Sequence, residues 1–323
     1  MTETIFAPTG LWTRAQTVLA LYWYLQIPFG QIHSRNPKLI EWAAILGRTP
    51  GALSFKMVNM ASLDPLITDT GRSGMKNRAK LDHEVWDHYK GRFDQLNQDA
   101  QALLTEAGKN LLDQLALQAE SSSLTLPDEA AEVLAPTQSE AFAGETQPVW
   151  VQRRLRQGFF RGMVLSNFEQ KCALSGLAQP SLLVASHIVG WAQRAQDRLN
   201  PHNGLALSAL YDRAFDQHWL SFDEDFRVLL SPQLKKTAEQ APYDCGLLAV
   251  EGRTLQAPKR FAIDPQLMAE HRARYLQMQV ELVQAQKRAL LQARRAGSFD
   301  HALLVAQEDQ LDMEEARLRR LGH

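Results

Sequence analysis

Apolar residues recur at helical spacing over most of the chain and gather into short strand-like runs only in its third quarter. From Thr13 to Ile27, Val18, Leu19, Leu21, Tyr22 and Leu25 share one helical period, and Pro28-Phe29-Gly30 ends it. Asn36 is placed to cap a helix over Pro37–Leu46, and Gly47-Arg48-Thr49 makes a turn. Thr49 and Pro50 then start a helix that reaches about Met60. Leu81 to about Leu117 reads as long helices, and Trp150–Gln170 as one helix with Val151, Leu155, Phe159, Val164 and Leu165 on its apolar side.

The pattern changes at Leu182–Ala185, a short β-prone run that stops just before Ser186-His187-Ile188. The pattern therefore predicts that His187 is presented where a strand gives way to a loop. Asn200, Pro201, Asn203 and Gly204 are turn formers, and Leu205–Leu207 is a second short strand. Ser208–Asp216 then reads as a helix that carries Asp212 and Asp216 on one face, four residues apart. Leu220–Phe222 and Arg227–Leu230 read as a hairpin. The chain is helical again from Pro265 to Ala296 and from about Asp300 to Leu321, with the break at Gly297-Ser298. The leucines of these last helices keep no clean heptad, which favours a helical hairpin over a coiled coil.

Composition narrows the classes. The chain has 323 residues, 45% hydrophobic, long enough for two domains with cores of their own. No uninterrupted apolar run suits a membrane span and no secretory leader is visible, so a cytoplasmic protein is expected. Cys172 and Cys245 form no C-x-x-C pair, which removes a zinc ribbon, and Cys172 is read as a packed strand residue. A formal charge of -1 gives no overall signature of nucleic-acid binding, but charge is unevenly spread. No Lys or Arg occurs from Asn110 to Gln152, and Arg153, Arg154, Arg156, Arg161 and Lys171 follow at once.

An imidazole, a turn asparagine and two carboxylates on one helical face are the parts needed for one divalent cation and a water-activating base. Oxygen ligands favour magnesium or manganese. The blocks CALSG, SHIVGW, NGLAL and DRAFD, in that order, resemble the His-Asn-His (HNH) endonuclease family with its ββα-metal fold. The resemblance implies that His187 is the general base and that Asn203 holds the loop and orients that base. It also implies that Asp212 and Asp216 hold the metal. Relatives often carry Asp or His before the base, where this chain has Ser186, and His where it has Tyr211. On the residues alone, Asp212 and Asp216 also suit ion pairs with Arg213, and Asn203 a plain turn. His202 and His218 read as surface histidines, and Trp191 as an anchor for the loop after His187.

LGRTPGALSFKMVNMASLDP is similar to the helix-turn-helix segment ahead of HNH domains in restriction-like bacterial proteins. That similarity implies DNA contacts from Arg48, Ser54, Lys56 and Asn59, with an ordinary helical core as the alternative. The basic loop Thr70–Lys80 suits a wing or a solvated loop equally well. Arg153 and Arg154, on a helix whose apolar side is expected to pack on the ββα core, and Arg213 are further candidates for the DNA backbone.

The expected fold is α+β, a mostly helical, winged-helix-like domain at 1–118 and an acidic linker at 119–148. An HNH nuclease domain at 149–262 and a helical extension at 263–323 complete it. The expected activity is metal-dependent hydrolysis of double-stranded DNA, in restriction or antiviral defence, with no membrane. A homodimer or defence-system partner subunits are also expected. The alternatives are a DNA-binding regulator with a decayed nuclease module and the same enzyme acting on RNA or modified DNA.

Overall fold

The computed structural model describes residues 10–68, 79–121, 147–190, 193–240, 246–296 and 301–321, and divides the chain into two units, Met1–Ser166 and Asn167–His323. The loop residues Thr70–Arg78, most of the acidic linker expected at 119–148, Trp191 and Cys245 lie outside the described residues, as do the side chains of Arg153 and Arg154.

The first unit is built on α1 (Arg14–Tyr24), whose residues Gln16 to Tyr24 are all buried. A helix apolar on every side has to sit inside the others, and α1 packs against α3 (Pro50–Ala61), α5 (Lys80–Tyr89) and α6 (Phe93–Ser121). Thr13 and Gln16 close a capping box at its start, and Gln16 Nε2 donates to the Leu46 carbonyl 3.1 Å away. That bond ties the first turn of α1 to the end of α2 (Pro37–Ile45). Gly47 takes the left-handed conformation, φ +63°, that stops α2 and lets Thr49 cap α3. α4 (Pro65–Thr68) is short. Late in the unit, Phe159 of α7 (Gln147–Asn167) stacks on Tyr22 with ring centroids 4.6 Å apart.

The caps at Asn36 and Thr49 form as the sequence suggests, but Arg48, Ser54 and Lys56, assigned to DNA, are engaged elsewhere. Lys56 is 3% exposed, and its ammonium is paired with Asp82 of α5. Arg48 donates to the carbonyls of Gly10 and Leu11 and to Gln16 Oε1, and Ser54 donates to the Ile32 carbonyl. The expectation that Lys56 meets DNA does not hold: its ammonium is buried against the Asp82 carboxylate and is not presented to a phosphate.

In the second unit β1 (Leu183–His187) and β2 (Gly204–Ser208) pair antiparallel, His187 opposite Gly204 and Leu183 opposite Ser208. The first strand therefore extends two residues beyond the expected Ala185, and His187 is its last member. α8 (Ala209–Asp216) packs on both strands, which completes a ββα unit. β3 (Leu220–Phe222) and β4 (Val228–Leu230) form the expected hairpin, followed by α9 (Pro232–Glu239). The chain ends in α10 (Pro265–Ala296) and α11 (His301–Leu321), which pack together as a helical hairpin around Tyr275, Leu276, Val283, Leu311 and Leu318. Among the described residues no helix is long and apolar enough to cross a membrane.

Lys56→Met leaves the Asp82 carboxylate buried without a counter-charge, which costs about 3–5 kcal/mol. Chemical denaturation is expected to show that loss and its recovery in the Lys56→Met, Asp82→Leu double variant. A single variant as stable as the parent contradicts the pairing.

Candidate active site

The ββα unit is set up by a tight turn ahead of it. The Cys172 amide donates to the Leu177 carbonyl and the Gly176 amide to the Cys172 carbonyl, with Gly176 at φ +73°. Cys172 thus sits in a turn rather than the strand expected of it. It is fully buried, and its sulfur accepts from the amides of Ser175 and Ser208. The Ala173 amide donates to the Ala206 carbonyl at 2.7 Å, which fastens the turn to the edge of β2.

Asn203 holds the loop between the strands together. Its Oδ1 accepts from the Val189 amide at 2.9 Å, and its Nδ2 donates to the Val189 carbonyl at 3.0 Å and the Asp197 carbonyl at 3.3 Å. The side chain is 1% exposed. An amide offers one acceptor and two donors in one plane, and all three are used, so no other side chain of this size substitutes fully.

His187, at the strand end, is half-buried rather than presented. Burial lowers its pKa below the ordinary 6.5, and its bond to Arg198 pulls the value partly back. Nε2 lies 3.0 Å from the Arg198 carbonyl oxygen. A carbonyl only accepts, so Nε2 carries the proton and Nδ1 of the neutral ring keeps its lone pair.

Asp212 and Asp216 share a face of α8, as their spacing predicts. Burial raises the Asp212 pKa, while the Ser186 side chain and then Arg213 lower it. Ser186 Oγ is buried and has no partner in ordinary hydrogen-bond geometry, so its hold on Asp212 is loose. Asp216 is exposed along one side, yet partial desolvation and then the charge of Asp212 push its carboxyl up to about 6, against the pull of Arg213. Two partly desolvated carboxyls beside the buried Ser186 hydroxyl make an all-oxygen donor set. That suits a hard divalent cation. Among the described residues no cluster of three or more His, Cys, Asp and Glu side chains that could hold a metal forms, so an ion here would need water or substrate oxygens as further ligands.

No local pattern singles out His271 of α10. Its ring stacks on Phe215 with centroids 3.7 Å apart, its Nε2 lies 3.1 Å from the Phe215 carbonyl and 3.2 Å from His218 Nδ1, and Ser221 Oγ lies 3.0 Å from its Nδ1. The carbonyl again fixes the tautomer: Nε2 donates, and Nδ1 accepts from the Ser221 hydroxyl. Burial, and then the neighbouring His218, hold its pKa down at about 3. His218 is thus no plain surface histidine. It takes the left-handed position after α8, φ +54°, and with His271 it anchors the carbonyl end of the helix that carries Asp216. Tyr211 is buried and donates to the Gly246 carbonyl at 3.0 Å, a structural use for the residue that stands where relatives carry His. Arg213 is exposed between the two aspartates, whereas Arg48, Ser54, Lys56 and Asn59 belong to the first unit.

Residues 172–223 match the family model of an HNH endonuclease, which bears out the resemblance for the turn, both strands and α8. The class that this part of the chain defines is thus that of an HNH nuclease domain. No curated protein matches the chain.

Asn203→Ala removes three hydrogen bonds from the loop. It is expected to cost about 1–3 kcal/mol and to speed amide exchange at Val189 about tenfold or more. Unchanged protection at Val189 argues that the loop is held by something else.

Proposed function

We propose that the chain is a divalent-metal-dependent endonuclease that hydrolyses phosphodiester bonds of double-stranded DNA. The observation that carries this is the repelling Asp212–Asp216 pair on a helix packed against the strand that ends in His187, all inside the segment similar to HNH endonucleases. In this reading His187, neutral at working pH and protonated on Nε2, takes a proton from the attacking water at Nδ1. Asn203 acts at one remove by fixing Val189 and Asp197, and with them the loop whose Arg198 carbonyl holds the ring. Asp212 and Asp216 hold magnesium or manganese. Such an ion supplies positive charge against the oxygens that gain negative charge during attack on phosphorus. Arg213, exposed beside them, meets the DNA backbone.

The double-stranded DNA partner rests on this module, since Arg48, Ser54 and Lys56 are engaged within the first unit. Restriction or phage defence is the proposed setting, on the resemblance to restriction-like bacterial proteins.

His187→Ala is expected to abolish magnesium- or manganese-dependent nicking of supercoiled plasmid while leaving the circular dichroism spectrum unchanged. Cleavage at the parental rate refutes the assignment of the base. Asp212→Ala and Asp216→Ala are expected to raise the metal concentration needed.

The pH dependence follows from two groups that must both be unprotonated. His187 loses its proton below 6.5, and Asp216 at about 6 before an ion is bound. At limiting metal the cleavage rate therefore falls as pH drops through about 6, and a rate flat from pH 5 to 8 contradicts both assignments.

A further inference from the structure

The first unit contains a pocket of about 480 Å³, within the range of small-ligand sites, that the nuclease reading leaves without a use. Trp12 and Phe55 supply its aromatic lining, and Lys56, Asn59 and Asp82 its polar groups. Gly51 and Ala52, in the first turn of α3, leave room for a flat guest. Phe55 is 56% exposed, although Trp23, Tyr24 and Tyr89 of the same unit are buried.

The polar groups are unevenly satisfied. Asp82 is fully buried, and one of its oxygens binds the Lys56 ammonium, but Oδ2 has no partner. Asn59 Oδ1 is likewise buried without one. Both atoms are acceptors on residues that line the pocket, so an N–H donor on a guest would satisfy them, and a buried acceptor left unpaired is destabilising.

A cationic guest is disfavoured, because two resident cations already lie over Trp12. Lys56 Nζ is 4.9 Å and the Arg48 guanidinium carbon 5.1 Å from its ring centroid. Burial lowers the Lys56 pKa, Asp82 pulls it partly back, and Arg48 lowers it further.

We propose that this pocket binds a nucleobase that carries an exocyclic amine, stacked on Phe55 and donating to Asp82 and Asn59. A flat, neutral ring with N–H groups along one edge answers the exposed phenyl, both unpaired acceptors and the exclusion of cations together. Adenine, cytosine and guanine have such an edge, and thymine has no exocyclic amine. The base comes either from a free nucleotide or from a position turned out of a DNA strand, and the chemistry of recognition is the same for both. The proposal stands apart from the nuclease reading, because it concerns the first unit alone.

The test is calorimetry on the full chain in EDTA, where nothing is cut. The probes are the deoxymononucleotides of adenine, cytosine, guanine and thymine. Duplexes with one unpaired cytosine, one unpaired thymine or none are titrated alongside them. At least one amine-bearing probe is expected to bind about tenfold or more tightly than its thymine counterpart. Phe55→Ala, at an exposed position that leaves the fold intact, is expected to weaken that binding about tenfold or more with the melting temperature unchanged, and Phe55→Trp to retain it. Asn59→Leu is expected to narrow the preference over thymine. Binding of mononucleotides alone assigns the pocket to a free nucleotide, and preference for the unpaired cytosine assigns it to a strand. Equal binding of thymine probes, insensitivity to Phe55→Ala, or no binding of any probe at millimolar concentration overturns the proposal.

Discussion

Two carboxylates one helical turn apart, each partly withdrawn from water, set the terms for the second unit. Partial burial first, and then the charge of Asp212, push the Asp216 carboxyl up to about 6. The surrounding structure prevents the helix from relieving that repulsion by moving. Both strands pack on α8, Tyr211 ties its first half to Gly246, and His271 holds the carbonyl of Phe215 at its far end. The like charge is therefore kept at one place, which in the proposed reading a divalent cation would neutralise.

The strand pair does the complementary work. β1 ends in His187, and the loop that follows folds back so that the Arg198 carbonyl sets the ring's tautomer. Asn203 closes that loop through Val189 and Asp197. The proposed base and the proposed ion ligands are thus positioned by separate devices, the first by hydrogen bonds in a loop and the second by packing around a helix.

What could be read in the sequence is what depends on near neighbours. Asn36, Thr49 and Pro50 mark helix starts because a cap acts over three residues, and the Asp212–Asp216 spacing places both on one face because a helix repeats in under four. Lys56 was misjudged because its partner Asp82 lies on another helix, and no local pattern links them. His271 gave no sign for the same reason: it reaches Phe215 from α10, across a hairpin and a further helix. Burial also governs the protonation of His187 and Asp216, and burial is a property of the assembled unit. Cys172 entered a turn because Gly176 takes a left-handed conformation, which its flanking apolar residues masked.

The most direct measurement is a pH titration of the aspartate side chains by carboxyl-carbon NMR, with and without magnesium. The account predicts that Asp216 titrates near 6 in the metal-free protein and falls well below that on adding magnesium. It also predicts a fall in Asp212→Asn, where the repulsion is gone. Ordinary carboxylate titration of both residues, unmoved by magnesium, would contradict it.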